Sequence, residues 1–342
     1  MEPIPFIRVS GDHADAGRQI GTACCEQLVR SLKDARSAPP DGLTWDDMRR
    51  AAEPYLAATR AHLPWIVAEF EGAAAGSGID LIDLVALGTE EIWRHPPGSE
   101  RCSDFAVGPP ITADGGIWLA HNNDLSPSTA DQLVAVEWRV TGQPVLFTIG
   151  VAGIFISAGY NSAGLSLTGN ELSPNDNRIG VPRILIVRDI LAQRTADAAI
   201  RAATNPARAS SYNNLIAHTD GTIVNIEGSG GDYALFPAQD GWVVHTNHYV
   251  APSMLHYEAD PNKIAGSIAR YRRAVELMAS AERPVAPALL RSFLADRAGA
   301  PDCLCKIDGE VQTVFWCIIA LNQRAITYGR DPRDPESQHF AF

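Results

Sequence analysis

The chain has 342 residues and a formal net charge of −12 with its histidines neutral; that charge repels phosphate backbones, and no Lys/Arg-rich stripe offsets it, so a nucleic-acid partner is not expected. Hydrophobic residues at 46% and charged residues at 20% describe a globular protein, long enough to bury one large core or two ordinary ones. No run of about 20 apolar residues is present to span a bilayer, and Met1-Glu2-Pro3-Ile4-Pro5 lacks a basic stretch leading into an apolar one, so the expectation is a cytoplasmic protein without membrane contact.

The first hundred residues read almost entirely as helices and loops. Ala16, Ile20, Ala23, Leu28 and Leu32 recur at helical spacing from Asp12 to about Ala35, and prolines between Ser37 and Gly42 end that segment. Thr44 followed by Asp47 has the form of a helix start with an acid at the third position, opening a helix to about Leu63. A third helix follows Pro64 and stops at Gly76-Ser77-Gly78, and a fourth runs from Asp80 to about Trp93. The segment from His95 to Glu100, with Pro96, Pro97 and Gly98, cannot stay helical and delivers the chain to Cys102 as a loop.

From Cys102 the period changes to two. Strands are expected at Cys102 to Val107 and Gly116 to Ala120, around the turn at Asp114-Gly115. Others are expected at Leu133 to Val140, Val145 to Gly150, Ile154 to Ala158 and Leu165 to Gly169. A helix from Pro182 to about Ala203 separates these from strands at Asn214 to His218, Thr222 to Glu227, Tyr233 to Phe236 and Trp242 to His245. Helices from about Lys263 to Ser280 and Ala286 to Ala295 precede a last strand pair, Gln312 to Leu321 and Ala325 to Tyr328. Hairpins joined directly, without a helical crossover at each step, point to an α+β sandwich of layered sheets rather than a doubly wound parallel sheet.

Six cysteines are too sparse for a disulfide scaffold, and neither Cys24-Cys25 nor Cys303-Leu304-Cys305 has the spacing of a zinc half-site. His245 and His248 would share a face only in a helix, whereas Trp242 to His245 reads as a strand. No metal and no cofactor are expected. Gly228-Ser229-Gly230-Gly231 lacks the Lys-Ser/Thr of a phosphate loop and reads as a hairpin turn.

Cys102 stands apart because it marks the boundary between the two kinds of chain. Cleavage of the Arg101–Cys102 bond would give it an α-amine of pKa about 7.7–8.0, able to act as base for its own thiol. Asp124, one hairpin away, could orient that amine, and Asn247 could donate amide hydrogens to an oxyanion. The plain alternative is an ordinary buried cysteine in a strand.

Arg101-Cys102-Ser103-Asp104-Phe105, His121-Asn122-Asn123-Asp124, Tyr160-Asn161-Ser162-Ala163-Gly164, Gly180-Val181-Pro182-Arg183 and Val244-His245-Thr246-Asn247-His248 occur in one order. Together they resemble the acyl-coenzyme A:isopenicillin N acyltransferase-like family of N-terminal-nucleophile hydrolases. The resemblance implies a four-layer αββα sandwich, made as a precursor that cuts itself before the cysteine. Residues 1–101 would then form a short helical chain and residues 102–342 a long catalytic chain, held together noncovalently as one structural domain. By position, Cys102 matches the nucleophile, Asp124 the acid near the new amine and Asn247 the oxyanion residue, with Ser103, Asp104, His121 and Asn123 as candidate substrate contacts. The penicillin-forming enzyme has a glycine before its nucleophile and hydroxyl residues in the two positions after it, where this chain has Arg101, Ser103 and Asp104.

The function expected is hydrolysis of a small linear amide through a Cys102 acyl-enzyme. The alternatives are acyl transfer to an amine, a Cys-His hydrolase that does not cut itself, and a noncatalytic binding protein that keeps the fold. Expected partners are a small-molecule amide and the two chains of one precursor, with a homo-oligomer left open.

Overall fold

The computed structural model describes residues 2–93 and 102–342; the expected loop at 95–100 and Arg101 therefore lie outside the described residues. The N-terminal part begins with a strand, β1 (Phe6–Gly11), followed by α1 (His13–Ala23), α2 (Cys25–Ser37), α3 (Trp45–His62), α4 (Pro64–Ser77) and α5 (Leu81–Gly88). Local chemistry sets most of these boundaries. Asp12 caps α1 by accepting from the Asp15 amide, Thr44 and Asp47 form a reciprocal capping box on α3, and Pro64 opens α4, which Gly78 closes at φ 72°. The single helix expected over 12–35 is two, because the backbone leaves helical geometry at Cys24 (φ −108°, ψ 20°).

Two glycine pairs let α1 and α4 touch backbone to backbone. A Cβ on Gly17 would lie 1.9 Å from the Glu69 carbonyl oxygen, and one on Gly21 would lie 2.1 Å from that of Ala73. A Cβ on Gly72 or Gly76 would meet the carbonyl oxygen of Ala14 or Arg18 at 2.2 Å.

The rest of the chain supplies β2 (Ser103–Val107), β3 (Trp118–Leu125), β4 (Leu133–Val140), β5 (Leu146–Val151), β6 (Phe155–Asn161) and β7 (Leu165–Asn170). After these come α6 (Arg183–Ala192), α7 (Ala196–Ala203), β8 (Asn213–His218), β9 (Ile223–Gly228), β10 (Tyr233–Pro237) and β11 (Trp242–His245). The chain ends with α8 (Ala265–Ser280), α9 (Pro287–Leu294), β12 (Gln312–Ala320), β13 (Ala325–Gly329) and β14 (Gln338–Ala341). The helix expected from 182 to 203 is interrupted after Ala192, and Thr195 caps the second piece through the Ala198 amide.

The strands form an eight-stranded sheet, β1-β4-β5-β6-β7-β8-β9-β10, and a six-stranded sheet, β11-β2-β3-β12-β13-β14. Pairing is antiparallel except between β1 and β4. Three apolar clusters separate the layers. One packs α1 to α7 on the outer face of the eight-stranded sheet through Ile20, Phe70, Leu84, Val136, Ile156 and Ile190. A second lies between the sheets, with Ala106, Leu119, Phe147, Ile149, Leu215 and Cys317. The third packs α8 and α9 on the outer face of the six-stranded sheet through Phe105, Trp118, Met278, Leu290 and Ile318. The α+β sandwich with helical outer layers expected from the sequence is the fold that forms.

Residues 2–93 are built into this sandwich rather than appended to it. β1 lies in register with β4 from Phe6 opposite Ala135 to Gly11 opposite Val140. Glu69 of α4 takes two hydrogen bonds from Arg188 of α6, at 2.6 and 3.1 Å, and a contact of 2.8 Å with His13 Nδ1. The Arg188 guanidinium also lies against the rings of Trp65 and Trp138. Among the described residues no helix is long and apolar enough to cross a membrane.

Glu69→Ala leaves the Arg188 guanidinium buried without its carboxylate, and the expected loss of stability is about 3–5 kcal/mol. Denaturant unfolding measures it, and a loss below about 1 kcal/mol, the size of an exposed pair, would contradict the burial argument.

Candidate active site

Strand alternation divides the residues around Cys102 into two sets. Ser103 faces Asn122, Asp104 faces His121 and Ala106 faces Leu119 across β2 and β3. Ala106 and Leu119 belong to the core between the sheets, so Asp104 and His121 point there too, and one step further in the same register so do Cys102 and Asn123. Phe105 and Ala120 belong to the outer core under α8 and α9, which places Ser103, Asn122 and Asp124 on that side.

Cys102 is 4% exposed, and its backbone is held at both ends. Its N–H donates to Asn247 Oδ1 at 2.8 Å. Its carbonyl accepts from Arg270 Nη1 at 2.6 Å, and Arg270 also donates to Ser103 Oγ at 3.0 Å and to Asn247 Oδ1 at 2.8 Å. Asn247 Nδ2 donates to the Glu171 carbonyl at 3.1 Å, which uses one of the two hydrogens of that amide group. Arg270 was not among the residues singled out from sequence. Its signal is its position in the buried stripe Ser267, Arg270, Ala274, Met278 of α8, where an apolar side chain would be expected.

Asp124 is fully buried, and its Oδ1 accepts from Thr313 Oγ1 at 2.7 Å. Its Oδ2 has no hydrogen-bond partner. Burial pushes its pKa up to about 6, against the pull of Arg270, of the Thr313 hydroxyl and of Lys306.

On the cavity side, Asp104 Oδ1 lies 2.8 Å from His121 Nδ1, and both residues are wholly buried. Asn123 Nδ2 lies 3.3 Å from His121 Nε2 and 3.8 Å from Cys102 Sγ. A cavity of about 120 Å³ opens beyond Cys102 and Asn123. Leu125, Val151, Phe155, Ile156, Leu167, Ile184 and Val187 form its apolar wall, and Thr168, Glu171, Asn214, Glu90 and Tyr212 add polar groups. Of the candidate substrate contacts, only Asn123 reaches this cavity. Ser103 points to the opposite face, and Asp104 and His121 contact each other outside the cavity lining. Asp104 thus uses Oδ1 on a histidine of its own chain, while its buried Oδ2 has no hydrogen-bond partner.

At the cavity rim, Arg183 joins the two parts of the chain. It donates to Glu90 Oε2 at 2.5 Å, to Glu171 Oε1 at 2.9 Å and to the Leu172 carbonyl at 2.7 Å, while its backbone amide donates to Glu91 at 2.9 Å. Tyr212 and Ser210 add hydrogen bonds to Glu90 and Glu91. His245 is bound between Asn170 and Glu227, and His248 contacts Ser267, so each histidine has its own protein partners. Burial lowers the pKa of His248 to about 4. Among the described residues no group of three or more His, Cys, Asp or Glu could hold a metal ion.

Residues 111–332 match the family model described as acyl-coenzyme A:6-aminopenicillanic acid acyl-transferase, more than half of the chain, beginning just after Cys102. A mutant of the conjugated bile acid hydrolase from Clostridium perfringens is similar in structure with a TM-score of 0.53 at 12% identity, over 70% of this chain and 92% of that one. A second variant of that hydrolase gives a TM-score of 0.51 at 13% identity over the same shares. At these identities the likeness is one of fold. A phosphonoacetaldehyde hydrolase-like protein from Syntrophobacter fumaroxidans is 27% identical over 171 residues, which are 45% of this chain and 56% of that protein. The chain thus spans about half the length of the curated relative it matches.

Two variants test the geometry. Arg270→Lys cannot span the Cys102 carbonyl, Ser103 and Asn247 with one ammonium nitrogen, and turnover of any substrate attacked by Cys102 should fall about 10- to 100-fold with folding retained; unchanged turnover would contradict the bracing role. The second variant exploits the raised pKa of Asp124. The folded chain holds a proton there that the unfolded chain releases above about pH 4, so ionisation lowers stability as pH rises from about 4 to about 6. In an uncut Cys102→Ala background, Asp124→Asn should gain relative stability across that window and hold the gain above it. A difference independent of pH would contradict the assignment.

Proposed function

The chain belongs to the acyl-coenzyme A:6-aminopenicillanic acid acyl-transferase family, and on that premise we propose that it is a self-processing cysteine amidohydrolase acting on a small linear amide. The observation that carries this is the setting of Cys102: it lines a cavity, and its N–H donates to Asn247 Oδ1.

Maturation begins when Cys102 Sγ attacks the Arg101 carbonyl carbon. The peptide nitrogen leaves as the α-amine of Cys102, giving a thioester that water hydrolyses to the Arg101 carboxylate and the free thiol. In this scheme Asp124, buried with one carboxylate oxygen unpartnered, supplies the counter-charge to the amine when the amine is protonated. In turnover the amine takes the thiol proton, Sγ attacks the substrate amide carbon, and the same proton passes to the departing nitrogen. Water then resolves the acyl-thioester, with the amine as base. The Asn247 Nδ2 hydrogen not donated to Glu171 serves the oxyanion, and Arg270 keeps Asn247 and the Cys102 backbone in place.

After cleavage the short chain stays bound through β1 in the eight-stranded sheet, the Glu69–Arg188 pair and the contacts of Arg183, Ser210 and Tyr212 with Glu90 and Glu91. Hydrolysis is favoured over acyl transfer from a coenzyme A thioester because, among the described residues, the cavity lining carries Glu90 and Glu171 and no lysine or arginine to receive phosphates. The apolar wall suits an apolar acyl group.

Acid quenching during turnover of an N-acyl amide should leave the acyl mass on the peptide that begins with Cys102, and free acid should remain the main product as a competing amine is added. Consumption of the amide with no adduct on Cys102 would contradict the nucleophile. Conversion of most acyl groups to the new amide would make the protein a transferase.

A further inference from the structure

We propose that Asn123 determines specificity at this site: its side-chain oxygen accepts a hydrogen bond from the N–H of the scissile amide, so that secondary amides are selected over tertiary amides and esters. The proposal rests on Cys102 being the amide-attacking nucleophile.

A chain of hydrogen bonds fixes which end of the Asn123 amide faces the cavity. The Asp104 carboxylate oxygen accepts from His121 Nδ1 at 2.8 Å, so the hydrogen of that ring sits on Nδ1. His121 Nε2 then presents a lone pair, which takes a hydrogen from Asn123 Nδ2 at 3.3 Å. With its nitrogen donating to His121 Nε2 and to Cys102 Sγ, Asn123 keeps its oxygen as the end left to accept. That oxygen is buried and has no hydrogen-bond partner, on a residue only 6% exposed that lines the cavity. The Thr168 hydroxyl, on the cavity wall contributed by the facing sheet, is likewise buried without a partner. Buried amide oxygens in folded proteins are nearly always satisfied, and an exception at the edge of a cavity asks for a donor from what binds there.

The donor can be placed. Asn123 Nδ2 is 3.8 Å from Cys102 Sγ, in contact with the attacking atom. In the bound substrate the carbonyl carbon lies against Sγ and the scissile nitrogen is one bond further. With the substrate carbonyl oxygen turned toward Asn247, the nitrogen falls on the side of Asn123. An N–H there meets an acceptor; an N-methyl group or an ester oxygen leaves that acceptor buried and unpaired. A site built around such a contact rejects analogues lacking it more strongly than an apolar pocket rejects a change in size. Asp104 and His121 are positioning residues in this scheme, since they act through Asn123.

The test compares N-hexanoylglycinamide, N-hexanoylsarcosinamide and hexanoyloxyacetamide, which carry N–H, N–CH₃ and O at the scissile position, by release of hexanoate. Wild-type kcat/KM should favour the glycinamide over the sarcosinamide well beyond their ratio in base-catalysed hydrolysis. Asn123→Leu should reduce that preference by about 10- to 100-fold, and His121→Phe, which frees the Asn123 amide to turn, should reduce it in the same direction. A wild-type preference no larger than the base-catalysed ratio overturns the assignment without recourse to a variant. A self-cleaved wild type whose preference survives Asn123→Leu overturns it and leaves the nucleophile standing. A folded wild type that stays uncut and cleaves none of the three overturns the nucleophile and this assignment together.

Discussion

A guanidinium with no exposure to solvent holds the site together. Arg270 reaches from α8 to the Cys102 carbonyl, the Ser103 hydroxyl and Asn247 Oδ1, and the same Asn247 oxygen takes the Cys102 N–H. A buried charge of this kind is tolerable only when it is hydrogen-bonded and a carboxylate is near enough to feel it; both Arg270 Nη atoms have acceptors. Asp124 supplies that carboxylate: burial raises its pKa, and Arg270 is the strongest pull in the other direction. The position of Cys102 is therefore set from a helix in the outer layer, through its own backbone.

The sandwich then gives each sheet a task. The six-stranded sheet carries the candidate site residues and, by alternation, separates them: Cys102, His121 and Asn123 face inward, while Ser103 and Asp124 face α8 and α9. The eight-stranded sheet supplies Val151, Ile156 and Leu167 to the cavity wall, with α6 adding Ile184 and Val187. Because β1 and α1 to α5 are built into the eight-stranded side, a cut before Cys102 would release a chain end without removing a layer. The Gly17–Gly21 and Gly72–Gly76 contacts hold α1 against α4 inside residues 2–93, and the buried Glu69–Arg188 pair ties that unit to α6.

What was legible in the sequence follows the range of the forces involved. Thr44 with Asp47, Pro64 with Gly78 and the Asn161 to Gly164 turn act over a few residues, and their elements form where the sequence places them. β1 was not legible because its partner is a parallel strand more than a hundred residues away, and Pro3-Ile4-Pro5 beside it reads as loop. β14 was missed for a similar reason, since it pairs with β13 across a stretch rich in Asp and Pro. Cys102, Asp124 and Asn247 were named from spacing and resemblance, and the structure brings Cys102 and Asn247 into contact, while Asp124 contacts Thr313. The Asp104–His121 pair needed the exact β2–β3 register, which a turn of uncertain length leaves open. Arg270 hid in plain view, because an arginine on an amphipathic helix normally faces water.

The central claim is that Cys102 becomes a chain terminus and works as one. Intact-mass analysis of the purified protein after incubation, with N-terminal sequencing of the larger product, measures this most directly. The account predicts two fragments, residues 1–101 and a long chain whose first residue is Cys102, with the Cys102→Ala chain remaining whole. A folded wild-type chain that stays a single species of full length would contradict it.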